Sequence, residues 1–523
     1  MSTTCIAATP ITEYAIIVDP RDNLAVVKRE TQPGLELTLA DNRVIRVTTT
    51  ILPGHRFAIR AIPAGEFVLQ YGQPIGTSQG IDEGNQISHD NMSDEVPVIR
   101  ELPDDLSTPP PDYIAPAERA TFMGFRRADG RVGTRNFVLI VPTSMCASHE
   151  AQQIAIMSEL VLYNREKFAN VDGVVAIPHN KGCGCQDGST LDVMLRTLAN
   201  YADHPNVGGV ILMDLGCEKT NLALVEQYLL KREKPFNKPL ARIGIQEVGG
   251  TEAAIKLGLE EVGRLLPEVN RSVREEVPVS ELVLGVKCGG SDGFSGISAN
   301  PSLGRAADFL IRSGGTVLIT EVPEFCGAEH ILAHRAKDAE VGRAIYRLID
   351  WYKEYASKFG AVLSQNPSPG NIAGGLLNLT VKSLGAMSKA GTTRVEGVIE
   401  YAETPKCRGL HLMQGTGYDQ ESTPGLVGAG ATVVLFTTGR GTTIGNAITP
   451  VIKLASNTPV FKRMSRDLDL SAGGVIDGTE TIDEVGARVF EHMRKVAGGE
   501  TLAKAEEHKH REFQFWAEQT VSL

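Results

Sequence analysis

The apolar positions change rhythm twice along the chain. Over residues 1–80 they come as short runs such as AIIV, LAVV and FVL, separated by turn signals: DPRDN, Pro53-Gly54 and Pro63-Ala64-Gly65. Strand-length runs at that spacing predict a small β-barrel or β-clip module. Residues 82–120 are acidic, proline-rich and poor in aliphatics, which predicts an extended strap. A strap of that length lets the first module dock far from its sequence neighbour, or on another subunit.

From residue 121 onward, apolar strand-like runs alternate with helical stretches. NFVLIVPTS (136–144), GVVAIPH (173–179), GGVILMDLG (208–216) and ARIGIQ (241–246) read as buried strands. Helices are expected over 148–168, 188–202, 219–231 and 251–265. A second series starts near 277. Its strands are ELVLGVKC, TVLITEV (316–322), GVIEYA (397–402), GLHLM (409–413) and TVVLFTT (432–438); its helices cover 301–313, 329–359 and 480–508. This β-α-β-α rhythm predicts parallel sheets with helices on both faces. The expected division is 1–81, 82–120, 121–275 and 276–523.

Composition narrows the function. A net charge of −11 argues against a general nucleic-acid or acidic-membrane binder, yet leaves room for a small anionic ligand in a local positive pocket. No apolar run reaches the ~18 residues that span a bilayer. The start, MSTTCIAATPITEYA, lacks a basic n-region and an apolar h-region, so a cytoplasmic protein with reduced thiols is expected. Glycine is 54 of 523 residues and falls in clusters beside polar residues, without a collagen period.

In parallel α/β sheets, ligands bind beyond the carboxyl ends of the strands. Cys146, Cys183, Cys217 and Cys288 each follow or end a predicted strand. Each alone reads as a small buried hydrophobe. Four in equivalent positions read equally well as a functional cluster, of metal ligands or pocket thiols. Cys5, Cys326 and Cys407 are set aside, and Cys185, in GCGC, is left open.

KCGGSDGFSGISANP (287–301) is the most distinctive segment. Its glycines allow close backbone approach, and a helix start after it can bind a carboxylate or phosphate. It matches neither a P-loop nor GxGxxG. Arg440, between two glycines in FTTGRGTTIGN, can hold a carboxylate with two bonds. NPSPGNIAGG (366–375) is a further loop of this kind. Glu321 and Glu324, in TEVPE, are acid/base candidates or salt-bridge partners. His89 has little structural reason to stand in an acidic strap.

Together GHRFAIRAIPAGE, YGQPIG, RRADGRVGTRN, LGCE, CGGSDGFSGISANPSLG, EVPEFCGAE, NPSPGN and FTTGRGT resemble the altronate/galactarate dehydratases, over essentially the whole chain and closer to the altronate branch. Lys181 departs from the pattern, which has an aromatic before Gly182-Cys183. The resemblance implies an N-terminal SAF-type β-clip domain, a long strap and two Rossmann-like domains. It implies a cytoplasmic lyase that dehydrates a sugar acid to a 2-keto-3-deoxy acid with Fe(II), with Mn(II) or an iron–sulfur cluster as alternatives.

On this reading the catalytic candidates are His55, His89, His179 and Lys181. The metal ligands are drawn from His55, His89, Cys146, Cys183, Cys217 and Cys288. Asn91, Ser291, Asp292, Arg440 and Thr442 hold the substrate. The partners expected are a small sugar acid and a second copy of the chain in a homodimer, with no nucleic acid and no membrane. The alternatives are a sulfo-lyase acting on a C3 hydroxy acid and a sugar-acid-binding protein without catalysis.

Overall fold

The computed structural model describes residues 9–231 and 235–517; Cys5 lies outside them. The first module consists of three small three-stranded sheets. It runs further than the sequence suggests. Met92–Ser93 forms a last strand, paired antiparallel with Gln73–Ser78, so residues 82–93 belong to the module. The extended strap that follows crosses the third domain: Arg100 pairs with Asp350 at 2.8 Å, and Ile114 N–H donates to Arg312 O at 2.7 Å. The module therefore skips the second domain and docks on the third.

The second domain has a parallel sheet in the order Gly173–Ala176, Phe137–Pro142, Val207–Asp214, Leu240–Gly244. Alternation sets its faces: Val138 and Ile140 enter one core, Leu139 and Val141 the other. The third domain has seven parallel strands in the order Val395–Ile399, Gly409–Met413, Thr316–Ile319, Val283–Cys288, Val433–Thr438, Val451–Ala455, Leu470–Ser471. The same alternation sends Val433 and Leu435 toward the helices Ala299–Arg312 and Ile482–Gly498, while Val434 and Phe436 join the core shared with the second domain.

Each sheet starts in its middle and grows outward both ways, so each has a topological switch point. In the second domain it falls between Phe137–Pro142 and Val207–Asp214, and in the third between Val283–Cys288 and Val433–Thr438. The helix expected over 329–359 is two helices, Glu329–Ala333 and Ala339–Ser357. The second is started by Asp338, whose side chain accepts from Val341 N–H. No helix among the described residues is long and apolar enough to cross a membrane.

Candidate active site

At the second-domain switch point, three loops leave adjacent strands and carry Cys146, Cys183 and Cys217, all exposed. The loops brace one another. Met145 N–H donates to Lys181 O at 2.7 Å. Buried Glu218 accepts from the Ser144 hydroxyl at 2.8 Å and from Leu215 and Gly216 N–H. These bonds hold its carboxyl below the ordinary range although burial pushes it up. Two thiols receive N–H donors: Lys219 N–H to Cys183 at 3.4 Å and the Gln246 amide to Cys217 at 3.6 Å.

The third-domain switch point holds a buried ionic cluster. Lys287 precedes Cys288 at the end of its strand; Glu321 and Glu324 follow the neighbouring strand. Glu321 is clamped between the ammonium groups of Lys287 and Lys389 and accepts from Cys288 N–H at 3.2 Å. Lys389 also lies 2.9 Å from the Cys288 thiol, and Lys382 pairs with Glu324 at 2.8 Å. Glu321, Lys287 and Lys389 are fully buried. Their charges balance, since three ammonium groups face Glu321, Glu324 and Asp419.

Burial and the carboxylates push the Cys288 thiol up to about 12, so it stays protonated. The carboxylates outweigh burial for Lys287 and Lys389 and hold both charged. Three lysines pull Glu324 down to about 2 despite its burial. Glu321 sits at φ +81°, a left-handed conformation that costs a non-glycine residue about 1–3 kcal/mol. Asp419 is the cluster's outlet: it lies 2.7 Å from Lys287 with 30% of its side chain exposed.

The loop Cys288–Ser291 joins this cluster to a second group of polar side chains. A Cβ on Gly289 would come within 2.3 Å of the Asp419 carboxylate, and one on Gly290 within 3.5 Å of Arg440 Cβ. Arg440 is exposed and its guanidinium makes no ion pair among the described residues. Asp292 is buried and saturated by Ser295, Ser456 and Asn457 side chains and Phe294 N–H, so it pins loops together instead of offering oxygens to a ligand. Ser291 gives its carbonyl to Asn371 at 2.8 Å.

The module closes over this loop. Its turn at Gly54 (φ +87°) meets Gly375 (φ +95°) and Gly293 backbone to backbone, where any Cβ would clash at 2.5 Å or less. His55, half-buried, adjoins Ala373; burial and the neighbouring Arg56 charge lower its pKa, leaving a neutral imidazole.

A cleft of about 390 Å³ opens between the Cys183 loop of the second domain and the third domain. Lys181 of the Cys183 loop lines one side. Thr416–Tyr418 and Glu421 line the other, beside Tyr352, Tyr355 and Trp516. Gly417 in that wall accepts from Lys287 at 3.3 Å, so the cleft floor touches the ionic cluster.

Three family models match in succession: the altronate/galactarate dehydratase SAF domain over residues 13–95, the D-galactarate dehydratase/altronate hydrolase second domain over 124–270, and the D-galactarate/altronate dehydratase C-terminal domain over 279–521. Altronate dehydratase of Bacillus subtilis is 37% identical over 93% of this chain and 95% of its own. Galactarate dehydratase (L-threo-forming) of Escherichia coli is 35% identical over 93% of each. The (2R)-sulfolactate sulfo-lyase β subunit of Chromohalobacter salexigens is 33% identical over 75% of this chain and 96% of its own. The chain belongs to the altronate/galactarate dehydratase family. As a member of this family of hydro-lyases it is an enzyme, which removes the non-catalytic alternative.

Against that family's chemistry, the sequence-chosen residues divide. The six expected metal ligands do not converge. Cys288 lies in the third domain, and His55 and His89 lie on the module against residues 373–377. His89 is exposed and its Nε2 bonds Leu377 O at 2.9 Å, which gives it a docking role. His179 is buried with Nε2 on Pro142 O at 2.9 Å and Nδ1 accepting from Lys181 N–H, so both nitrogens serve the loop. Asn91 closes a local turn with Ser88 and Gln86, and Thr442 accepts from Ile444 N–H within its own loop. These placements correct the single-pocket expectation: His89, His179, Asn91, Asp292 and Thr442 hold structure.

The donor sets can be tested against iron. Cys288, Glu321 and Glu324 are the one group of three whose ligand atoms lie within 4.8 Å of one another among the described residues. Lysines already pair with both carboxylates there, so a dication would stand unbalanced beside three ammonium groups; Fe(II) does not fit. Cys146, Cys183 and Cys217 are exposed soft donors with N–H···S support on two of them, spaced wider than one ion requires. By the softness and exposure of its thiols that donor set suits an iron–sulfur cluster. Sequence reasoning missed Lys287, Lys382, Lys389 and Asp419. The available signal was Lys287, a charge inside an otherwise apolar strand.

Proposed function

We propose that this enzyme dehydrates a sugar acid of the altronate or galactarate type to the 2-keto-3-deoxy acid. The observation that supports it most is the pair of switch points, one carrying three exposed thiols and the other a buried acid–base cluster. The reaction removes a weakly acidic proton alpha to a carboxylate and expels the beta hydroxyl as water; the enol left behind tautomerises to the 2-keto acid.

The exposed Arg440 attracts the anionic substrate. Neutral His55 is the base that takes the alpha proton. The His55 imidazolium so formed returns the proton to the departing hydroxyl, which leaves as water; Asp419 steadies Lys287 at the cluster's outlet, and the ammonium groups there stabilise the negative charge developing at the carboxylate. Cys146, Cys183 and Cys217 would hold an iron–sulfur cluster, which when bound supplies Lewis acidity toward the substrate's oxygens.

The reading places the enzyme in the cytoplasm, supported by seven unpaired cysteines among the described residues. It makes the enzyme a homodimer, supported by exposed Ile156, Leu160 and Val161 on one helix. The test is an iron-reconstituted preparation assayed with hexonates, hexarates and a C3 sulfonate hydroxy acid. A 2-keto product from a hexonate or hexarate supports the reading. Sulfite from the sulfonate, with no keto acid from the others, replaces it with the sulfo-lyase alternative.

A further inference from the structure

Among the described residues two arginines are buried almost completely, and they are treated oppositely. Arg135, about 1% exposed, pairs through Nε and Nη2 with Glu506 and gives Nη1 to two carbonyls. Arg56, equally buried, makes no ion pair among the described residues. Among the described residues its one hydrogen bond runs from Nη2 to Gly375 O at 2.7 Å, and its Nε is buried without a partner. Burying a guanidinium without a counter-ion is strongly unfavourable, so the position asks for an anion.

Its place in the fold says which anion. Arg56 adjoins His55 on the docked turn of the module. Gly375, which it bonds, follows Gly374, whose Cβ would lie 3.4 Å from Arg440 Cδ. The two guanidinium groups therefore flank one glycine turn, on the order of 10 Å apart given the 3.8 Å step between neighbouring Cα atoms. At that turn the seam between module and third domain is glycine backbone on glycine backbone, while apolar side chains of both pack in one core beside it.

We propose that Arg56 is the carboxylate anchor of the enzyme. Arg440 attracts the acid at the surface, and the seam opens at the Gly54–Gly375 contact to seat a carboxylate on the free Nε edge of Arg56, next to His55. This deepens the sugar-acid reading and rests on it for the ligand's identity.

The test compares wild type with Arg56→Met and Arg56→Lys by thermal shift and steady-state kinetics, using galactarate and altronate as probes. The acid is expected to raise the wild-type melting temperature, and Arg56→Met to abolish that rise. Without ligand, Arg56→Met should melt at or above wild type, because an unbalanced buried charge is gone. Its kcat/KM should fall by about 100-fold or more, and Arg56→Lys should recover part of it. An Arg56→Met variant that melts well below wild type yet keeps the acid-induced rise and KM would show a structural arginine and overturn the proposal. So would a wild type that no acid stabilises. Acid-induced stabilisation lost in Arg56→Met, with no turnover in wild type, would sink the dehydratase reading and leave the anchor standing.

Discussion

Glu321→Gln probes the buried cluster most sharply. The wild-type cluster is electrically balanced, and Cys288, pushed up to about 12, adds no charge. Removing the Glu321 charge leaves Lys287 with Asp419 at 2.7 Å and Lys382 with Glu324 at 2.8 Å, but strips Lys389 of its direct carboxylate partner. An uncompensated charge of this kind costs about 3–5 kcal/mol. At roughly 2–4 °C per kcal/mol for a domain of this size, the melting temperature should fall by about 6–20 °C. In Glu321→Gln/Lys389→Met the stranded ammonium is gone, so the double variant should regain at least half of the loss. Tryptophan fluorescence suits the measurement, because Trp351 and Trp516, the only two in the chain, meet at 5.8 Å beside the cleft. A Glu321→Gln variant melting within about 3 °C of wild type, or a double variant less stable than the single, would refute the balanced-cluster argument.

Other outcomes follow from the same geometry. Serine at Cys146, Cys183 or Cys217 should cut bound iron several-fold and bleach the visible absorbance of reconstituted enzyme, while Cys288→Ser should keep both; the reverse pattern moves the metal to the third domain. His179 is held at about 4 by burial against an ordinary 6.5, so the unfolded chain takes up its proton first. Its contribution is therefore complete above pH 6.5 and is lost as pH falls toward 4, and His179→Gln should flatten that part of the stability profile. Gly54→Ala should unseat the module, because its Cβ would stand 2.5 Å from Gly374 O at a φ of +87°; a variant with unchanged turnover and proteolytic resistance would show that the seam is tolerant.

Much of this architecture is legible in the chain, and the parts that are not have physical causes. Runs such as NFVLIVP and GGVILMD announce buried parallel strands, and the strand ends carrying Cys146, Cys183, Cys217 and Cys288 mark both switch points. The strand Val451–Ala455 escapes such reading because Pro450 precedes it and Lys453 interrupts it, its Nζ reaching Thr443 O at 3.2 Å. The helix Asp419–Gly428 is hidden by its polar start and by Pro424. The ionic cluster is illegible for a different reason. Lys287, Glu321 and Lys389 are strangers in sequence that meet only once the sheet has formed, and the left-handed turn at Glu321 has no glycine to announce it. His89 misleads in the opposite sense. A histidine in an acidic strap invites a catalytic role, but its partner, Leu377 O, is a backbone carbonyl 288 residues away.

The central claim, dehydration begun by loss of the alpha proton, is tested most directly by NMR of galactarate and altronate turnover in D2O with the iron-reconstituted enzyme. Loss of the C2 proton signal is expected, with a 2-keto-3-deoxy acid carrying solvent deuterium at C3. A 2-keto-3-deoxy product that keeps the original C2 proton at C3, or no product from either acid, would contradict it.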